Sequence, residues 1–86
     1  FEWDEEKAAV NRRKHGVGFE EASSVWDDYF YVDLFDEAHS VGENRFIIVG
    51  ESKQKRLLIV SYAERDDKIR IISARELTAK ERREYE

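Results

Sequence analysis

The chain has 86 residues, a net charge of -5 at pH 7 and no Cys, and 41% of its residues are hydrophobic. This length suits one domain and is too short for two, so we expect residues 1–86 to form a single domain. The lack of Cys excludes disulfides and thiolate metal sites, and two distant His argue against a structural metal site. No apolar run is long enough for a membrane span and no signal-peptide pattern is visible, so we expect a cytoplasmic protein without a cofactor.

The charges are unevenly divided along the chain. Residues 53–83 contain ten Lys or Arg and five Asp or Glu, whereas residues 15–44 contain eight acids and no Lys or Arg. The basic part predicts contact with a polyanion, and the acidic part predicts contact with a basic protein. The alternative is that both parts are ordinary solvated surfaces of a small domain.

The first third of the chain predicts two helices. Asp4 is a suitable N-cap, acids follow it, bases precede Gly16, and Gly16 suits the left-handed position after a helix, which predicts a helix over residues 4–15. A second, short helix is predicted by apolar residues that recur at helical spacing: Phe19, Ala22, Val25, Trp26 and Tyr29.

From residue 30 onward the pattern indicates strands. Apolar residues alternate over residues 30–35, and residues 36–44 read as an acidic connection. Branched apolar runs at residues 46–49, 57–60 and 69–72 are joined by short polar loops, which predicts an antiparallel meander.

Thr78 followed by Glu81 matches a capping box, which predicts a last helix. The resulting order is ααββββα. We therefore predict an α+β fold in which a four-stranded antiparallel sheet has helices packed on one face.

Alternation divides the side chains of the last strand into two sets: Lys68, Arg70, Ile72 and Ala74 on one face, and Ile69, Ile71, Ser73 and Arg75 on the other. Because the Ile69 side should meet the helices, Arg70 should project from the open face. There it is available to a phosphate or pairs with a cross-strand acid, for which Glu64 is the obvious candidate. Arg65 should lie near Arg70 across a tight turn, and two close guanidinium groups indicate a bound anion unless Glu64 neutralises them.

Other polar residues allow two readings each. Imidazole titrates near neutral pH, which suits acid–base chemistry at His39, but a lone loop His is more often a solvated side chain. His15 fits a helix C-cap better than a catalyst, and Lys14 suits either a phosphate or the helix dipole. Tyr85 either donates a proton or packs on the sheet, and packing is favoured. No nucleophile–base triad, Gly-rich phosphate loop or metal motif is present.

Taken together, several segments resemble the BrnT toxin family. The similar segments are residues 1–4, Asn11 with residues 14–17, residues 19–22, His39-Ser40 with Glu43 and residues 45–46, Glu64-Arg65, residues 69–75, residues 81–83 and residues 85–86. The similarity covers nearly the whole chain, and the blocks at His39-Ser40 and at residues 70–75 are the most specific. The aromatic residues 29–31 depart from the usual family sequence.

The resemblance implies a RelE-like toxin of a type II toxin–antitoxin module that cleaves RNA and thereby inhibits translation. It implies two partners, an RNA substrate and a BrnA-like ribbon-helix-helix antitoxin. The complex is expected to be a heterotetramer that contacts DNA only through the antitoxin and does not bind membranes.

The residues and the resemblance together predict a metal-independent endoribonuclease in which the RNA 2′-hydroxyl attacks the adjacent phosphate. Arg65 and Arg70 are expected to stabilise the phosphorane with support from Arg75, and Glu64 or His39 is the expected general base. The expected RNA-binding residues are Lys14, Arg45, Lys68 and Arg83. The alternative is a degenerate, non-catalytic toxin that only binds antitoxin or nucleic acid.

Overall fold

The computed structural model describes all 86 residues. Its elements are α1 (Glu5–His15), α2 (Phe19–Ser23), β1 (Val32–Phe35), β2 (Asn44–Glu51), β3 (Leu57–Arg65), β4 (Lys68–Glu76) and α3 (Ala79–Tyr85). The four strands lie in the order β1-β2-β3-β4, each antiparallel to the next. The predicted α+β fold and the order ααββββα are confirmed. None of the helices is long and apolar enough to cross a membrane.

The predicted caps hold both ends of α1. The Asp4 carboxylate accepts hydrogen bonds from the backbone N–H groups of Glu6 at 2.8 Å and Lys7 at 3.1 Å. Gly16 adopts φ +69° and its N–H donates to the Arg12 carbonyl, a left-handed turn that costs Gly little. The first helix is therefore confirmed.

The second helix is shorter than its apolar pattern predicts. After Ser23 the chain continues as a 3₁₀ turn over Ser24–Asp27. The hydroxyl of Ser24 donates to the Glu21 carbonyl at 2.6 Å, a local bond that competes with continued α-helix. The expectation that Tyr29 lies on the apolar face is wrong, since its side chain is 91% exposed.

The core lies between one face of the sheet and the helices α1 and α2. It contains Val17, Phe19, Ala22 and Val25 from the helical part, and Ile48, Leu58, Val60, Tyr62, Ile71 and Ala74 from the strands. Full burial of each large aliphatic side chain contributes about 1.5–3 kcal/mol, so this face fixes the sheet against the helices. The opposite face of the sheet is called the open face below.

Strand β4 contains one extra residue, and this bulge changes which side chains share a face. Ser61 pairs with Ser73 and Tyr62 pairs with Ile71, so Ile72 has no partner. Beyond Ile72 the alternation is reversed, because a bulge puts two residues opposite one.

The face predicted for the end of β4 is therefore wrong. Ala74 is buried in the core, and Ser73 and Arg75 lie on the open face with Arg70. The sequence-based assignment assumed uninterrupted alternation. The predicted tight turn between β3 and β4 is confirmed, since Asp66 and Asp67 adopt φ +50° and +64°, as in a two-residue hairpin.

Asn11 fastens α1 to β4 just after the bulge. Its side chain is nearly buried, and Nδ2 donates to the carbonyls of Val17 at 3.0 Å and Ala74 at 2.8 Å. Its Oδ1 accepts from the N–H of Ala74 at 3.1 Å. One side chain thus satisfies both backbone groups of an edge residue, which fixes the position of the last turn of α1.

We predict that Asn11→Ala lowers the free energy of unfolding by about 3 kcal/mol, because the buried backbone groups of Ala74 lose their partners. Urea denaturation measures this change. The control is Val10→Ala, which alters an exposed neighbour in the same helix and should cost no more than about 0.5 kcal/mol. Equal stabilities of the two variants would contradict the role of Asn11 as an anchor.

Candidate active site

The sheet sorts the charges of its strands. The open face carries all the Lys and Arg residues of the strands: Arg45, Arg65, Lys68, Arg70 and Arg75. In the register, Arg45 lies opposite Ala63, which lies opposite Arg70, and Arg65 lies opposite Lys68. An acidic chain therefore has one locally basic face, which is the electrostatic feature that attracts a polyanion.

A cleft of about 430 Å³ opens on this face, and both His residues of the chain line it. The lining residues are His15, Asp36, His39, Arg45, Ile47, Ile59, Ser61, Ile72, Ser73, Ala74 and Arg75. His15 arrives from the end of α1, His39 from a 3₁₀ turn over Glu37–His39, and the others mainly from β2, β3 and β4. The cleft therefore combines imidazoles, guanidinium groups and hydroxyls from distant parts of the sequence.

His39 is oriented by Asp36. Its Nδ1 lies 2.9 Å from Oδ2 of Asp36, and the His39 side chain remains 67% exposed. This contact suits Nδ1–H as the donor, which leaves Nε2 as a free acceptor. A carboxylate that fixes the tautomer of an imidazole is the arrangement used by His general bases.

Ser40 holds the turn that carries His39 against β2. Its hydroxyl donates to the Asp36 carbonyl at 2.6 Å and accepts from the N–H of Arg45 at 3.0 Å. The Asp36 N–H also donates to the Arg45 carbonyl at 2.8 Å. These bonds give the His39-Ser40 motif a physical role, because Ser40 holds Asp36 next to Arg45 at the cleft.

Glu43 bridges two guanidinium groups. Its carboxylate accepts from Arg65 at 3.0 Å and from Arg45 at 3.2 Å. The hydrogen bond from Arg65, and then that from Arg45, lower the pKa of Glu43. Arg65 therefore pairs with Glu43, not with Glu64.

Arg70 is the least engaged of the predicted arginines. It makes no side-chain hydrogen bond, and its nearest acid is Glu2, with Nη1 and Oε1 3.7 Å apart. Arg65 and Arg70 lie diagonally on the same face across the β3–β4 hairpin, as expected. They lie beyond Arg45, outside the residues that line the cleft.

Arg75 makes a two-pronged ion pair with Glu81. Nη1 lies 2.8 Å from Oε1, and Nη2 lies 3.0 Å from Oε2. Glu81 also accepts the N–H of Thr78 in the predicted capping box, which is confirmed. The Arg75 contact, followed by the Thr78 contact, lowers the pKa of Glu81 to about 2. Arg75 therefore fastens α3 to the sheet while it lines the cleft.

Glu64 lies apart from the arginines. It pairs with Asn44 and Ile69 in the register and projects from the face opposite to Arg65 and Arg70. The structure thus does not bring the two predicted general bases together, and only His39 lines the cleft.

The remaining predicted residues do not line the cleft. Lys14 lies with His15 and Ser73 in an adjoining groove, and Lys68 and Arg83 are exposed. Tyr85 donates its hydroxyl to the Phe30 carbonyl at 3.2 Å. No three His, Asp or Glu side chains form a group that could hold a metal ion.

Sequence reasoning missed Asp36 and set His15 aside. The signal for Asp36 was its position three residues before His39, because one 3₁₀ turn brings side chains at this spacing together. His15 was read only as a helix end. Its place beside the cleft depends on the Asn11 anchor and the β4 bulge, for which the sequence shows no local signal.

The sequence matches the family model described as ribonuclease toxin, BrnT, of type II toxin–antitoxin system, over residues 3–81. The chain belongs to the BrnT family. No curated protein matches the sequence. The match to the family model confirms the resemblance. BrnT proteins are ribonuclease toxins, so the family implies an antitoxin protein as partner and RNA as target.

We predict that the Arg75–Glu81 pair makes stability depend on pH. The pKa of Glu81 lies below its ordinary value of 4.5 in the folded chain, so its contribution is present above about pH 4.5 and is lost as the pH falls toward 2. The melting temperature of Glu81→Gln should therefore decrease less than that of the unchanged protein over this interval. The control is Glu84→Gln in the same helix, and identical profiles for Glu81→Gln and the unchanged protein would contradict the prediction.

Proposed function

We propose that this BrnT chain is a metal-independent endoribonuclease that uses the 2′-hydroxyl of RNA as the nucleophile. Attack on the adjacent phosphate forms the new P–O bond, and departure of the 5′-oxygen breaks the old one. The products are a 2′,3′-cyclic phosphate and a 5′-hydroxyl. The observation that carries the proposal is the His39–Asp36 pair, which shares one cleft with a second His and with Arg45.

His39 is the general base of this proposal. Its Nε2 takes the proton of the 2′-hydroxyl, while Asp36 holds the ring and stabilises the imidazolium that forms. The geometry favours His39 over Glu64, because Glu64 projects from the other face of the sheet. A positioned general base contributes typically about 10²–10⁴ in rate.

His15 supplies the second proton transfer. The leaving 5′-oxygen needs a proton, and His15 is the other imidazole that lines the cleft. One imidazole thus accepts a proton while the other donates one, so the protons balance.

Arg45 is the guanidinium that contacts the reacting phosphate, since it lines the cleft with His39. Arg70 and Arg65 follow it along the open face and bind the neighbouring phosphate. Guanidinium contacts to a transferring phosphoryl group can contribute about 10³–10⁵ in rate. The RNA must displace Glu43 from Arg45 and Arg65, whereas Arg70 is available without loss of a hydrogen bond.

The cellular part of the proposal is supported by membership of the BrnT family. The toxin cleaves RNA in the cytoplasm, inhibits translation, and is neutralised by a ribbon-helix-helix antitoxin in a heterotetramer.

The acidic segment, residues 15–44, contributes less free charge than its composition suggests. Several of its acids already have partners in the chain: Glu21 with Arg56, Asp33 with Tyr62, Asp36 with His39, and Glu43 with two arginines.

We predict that His39→Asn lowers the rate of RNA cleavage by about 10²–10⁴, with the protein still folded. Asn preserves a donor toward Asp36 but cannot accept a proton. Single-turnover cleavage of a labelled RNA in EDTA measures the rate, and thermal melting checks the fold. The control is Glu37→Gln, which alters an exposed residue of the same turn and should cleave RNA as fast as the unchanged protein.

Two results would overturn this mechanism. Full activity of His39→Asn would show that His39 is not the general base. Loss of activity in EDTA, with recovery on addition of Mg²⁺ or Mn²⁺, would show that cleavage depends on a metal ion.

A second candidate function is a non-catalytic toxin that only binds antitoxin or nucleic acid. It is favoured by the acids that already occupy Arg65 and Arg75. Expression of the unchanged chain and of His39→Asn without antitoxin separates the two. The enzyme predicts growth arrest only by the unchanged chain, whereas the binding module predicts that both behave alike.

A further inference from the structure

The edge of the sheet formed by β1 is unusually apolar for a surface. All the hydrophobic residues of the strand and of the segment before it are at least 42% exposed: Tyr29, Phe30, Tyr31, Val32, Leu34 and Phe35. Natural edge strands are often protected by Lys, Pro, bulges or a covering element, and β1 has none of these, so its protection is limited to its shortness and the inward-pointing Asp33. An exposed apolar patch of this kind marks an interaction site.

The opposite edge of the sheet is covered by the chain itself. Glu2 bonds to β4 through its N–H, which donates to the Ile69 carbonyl, and through its carbonyl, which accepts the N–H of Ile71. Asn11 satisfies Ala74 farther along the same strand. The free edge of this sheet is therefore at β1.

The backbone of β1 is ready to pair with another strand. The Asp36 N–H bonds to the Arg45 carbonyl, one step beyond the Phe35–Phe46 pair, so alternate residues of β1 bond to β2. Asp33 and Phe35 therefore direct their N–H and C=O groups to the free edge. The strand is also held in place, because the Tyr62 hydroxyl donates to Asp33 at 2.7 Å and the ring of Phe35 lies 5.5 Å from that of Phe46.

We propose that this edge binds an extended segment of the antitoxin, which adds a fifth strand beside β1. The segment should alternate apolar residues, which cover the exposed aromatic and aliphatic side chains, with Lys or Arg residues. The proposal rests on the antitoxin partner that the BrnT family implies. It does not depend on which residues of the cleft perform catalysis.

Charge decides between the antitoxin and a second copy of this chain. Residues 15–44, which include β1, carry eight acids and no Lys or Arg, and three of these acids, Glu20, Asp27 and Glu37, make no side-chain hydrogen bond or salt bridge. Antiparallel pairing of two copies would bring together two segments of net negative charge, and like charges on facing strands are destabilising. A segment with Lys or Arg gains from acids that are free to pair, in particular from Asp27 and Glu37, which are exposed and make no side-chain hydrogen bond or salt bridge.

A strand at this edge also reaches the catalytic turn. Asp36 follows directly after Phe35 in the chain. Leu34 pairs with Ile47, and Ile47 lines the cleft. The added strand would extend the sheet next to the His39–Asp36 pair. Occupation of β1 therefore connects antitoxin binding to the neutralisation of the toxin.

The test compares Phe35→Lys with Phe1→Lys in binding to the protein encoded beside the toxin gene. The two Phe side chains are 54% and 58% exposed, and each stacks edge-on against one partly buried aromatic ring. Phe35→Lys should weaken binding about tenfold or more, because it removes an apolar contact and opposes the basic segment. Phe1→Lys should leave the dissociation constant unchanged, and both variants should still cleave RNA.

Amide hydrogen exchange on the unchanged complex tests the same claim without a substitution. The exposed amides of Asp33 and Phe35 should exchange at least about tenfold more slowly when the antitoxin is bound. Unchanged exchange at these two amides would overturn the proposal, as would equal binding by the two variants. Dimerisation of the free toxin through this edge would also overturn it. If the unchanged protein does not cleave RNA, the proposed catalysis is wrong, but the binding and exchange measurements still test the strand addition at β1.

Discussion

One extra residue in β4 decides which side chains meet on the open face. Because Ile72 has no partner in β3, Arg75 lies on the same face as Lys68 and Arg70, although the sequence spacing alone separates them. Ala74, on the other side, enters the core. Asn11 then binds both backbone groups of Ala74, and this bond places the end of α1, with His15, beside the cleft. The bulge and its Asn anchor therefore assemble a site from three distant segments of the chain.

Each arginine of the open face has an acidic neighbour within the chain. Glu43 holds Arg45 and Arg65, Glu2 lies near Arg70, and Glu81 holds Arg75. These contacts are not equivalent. Glu43 makes a single hydrogen bond to each of its two arginines, which a phosphate can replace, whereas Arg75 and Glu81 form a two-pronged pair and Glu81 also caps α3. The structure thus separates guanidinium groups that are available to RNA from one that is used to hold the fold.

Most of the fold was predictable because its signals are local. The caps of α1, the capping box at Thr78 and the Asp66-Asp67 turn each depend on a few adjacent residues, and all three are confirmed. The faces of β4 were predictable only up to Ile72, since a bulge depends on the pairing between two strands. The pairing of Asp36 with His39 was within reach of the sequence from their spacing. The placement of His15 and His39 in one cleft was not, because it depends on how α1 docks on the sheet.

The central claim is that the cleft cleaves RNA through its own 2′-hydroxyl. The most direct measurement uses an RNA with one mapped cleavage site and a matched RNA with a single 2′-deoxy nucleotide on the 5′ side of that bond. The account predicts a 2′,3′-cyclic phosphate and a 5′-hydroxyl from the first RNA and no cleavage at that bond in the second. Cleavage of the 2′-deoxy RNA at the same bond, or products with a 5′-phosphate and a 3′-hydroxyl, would contradict it.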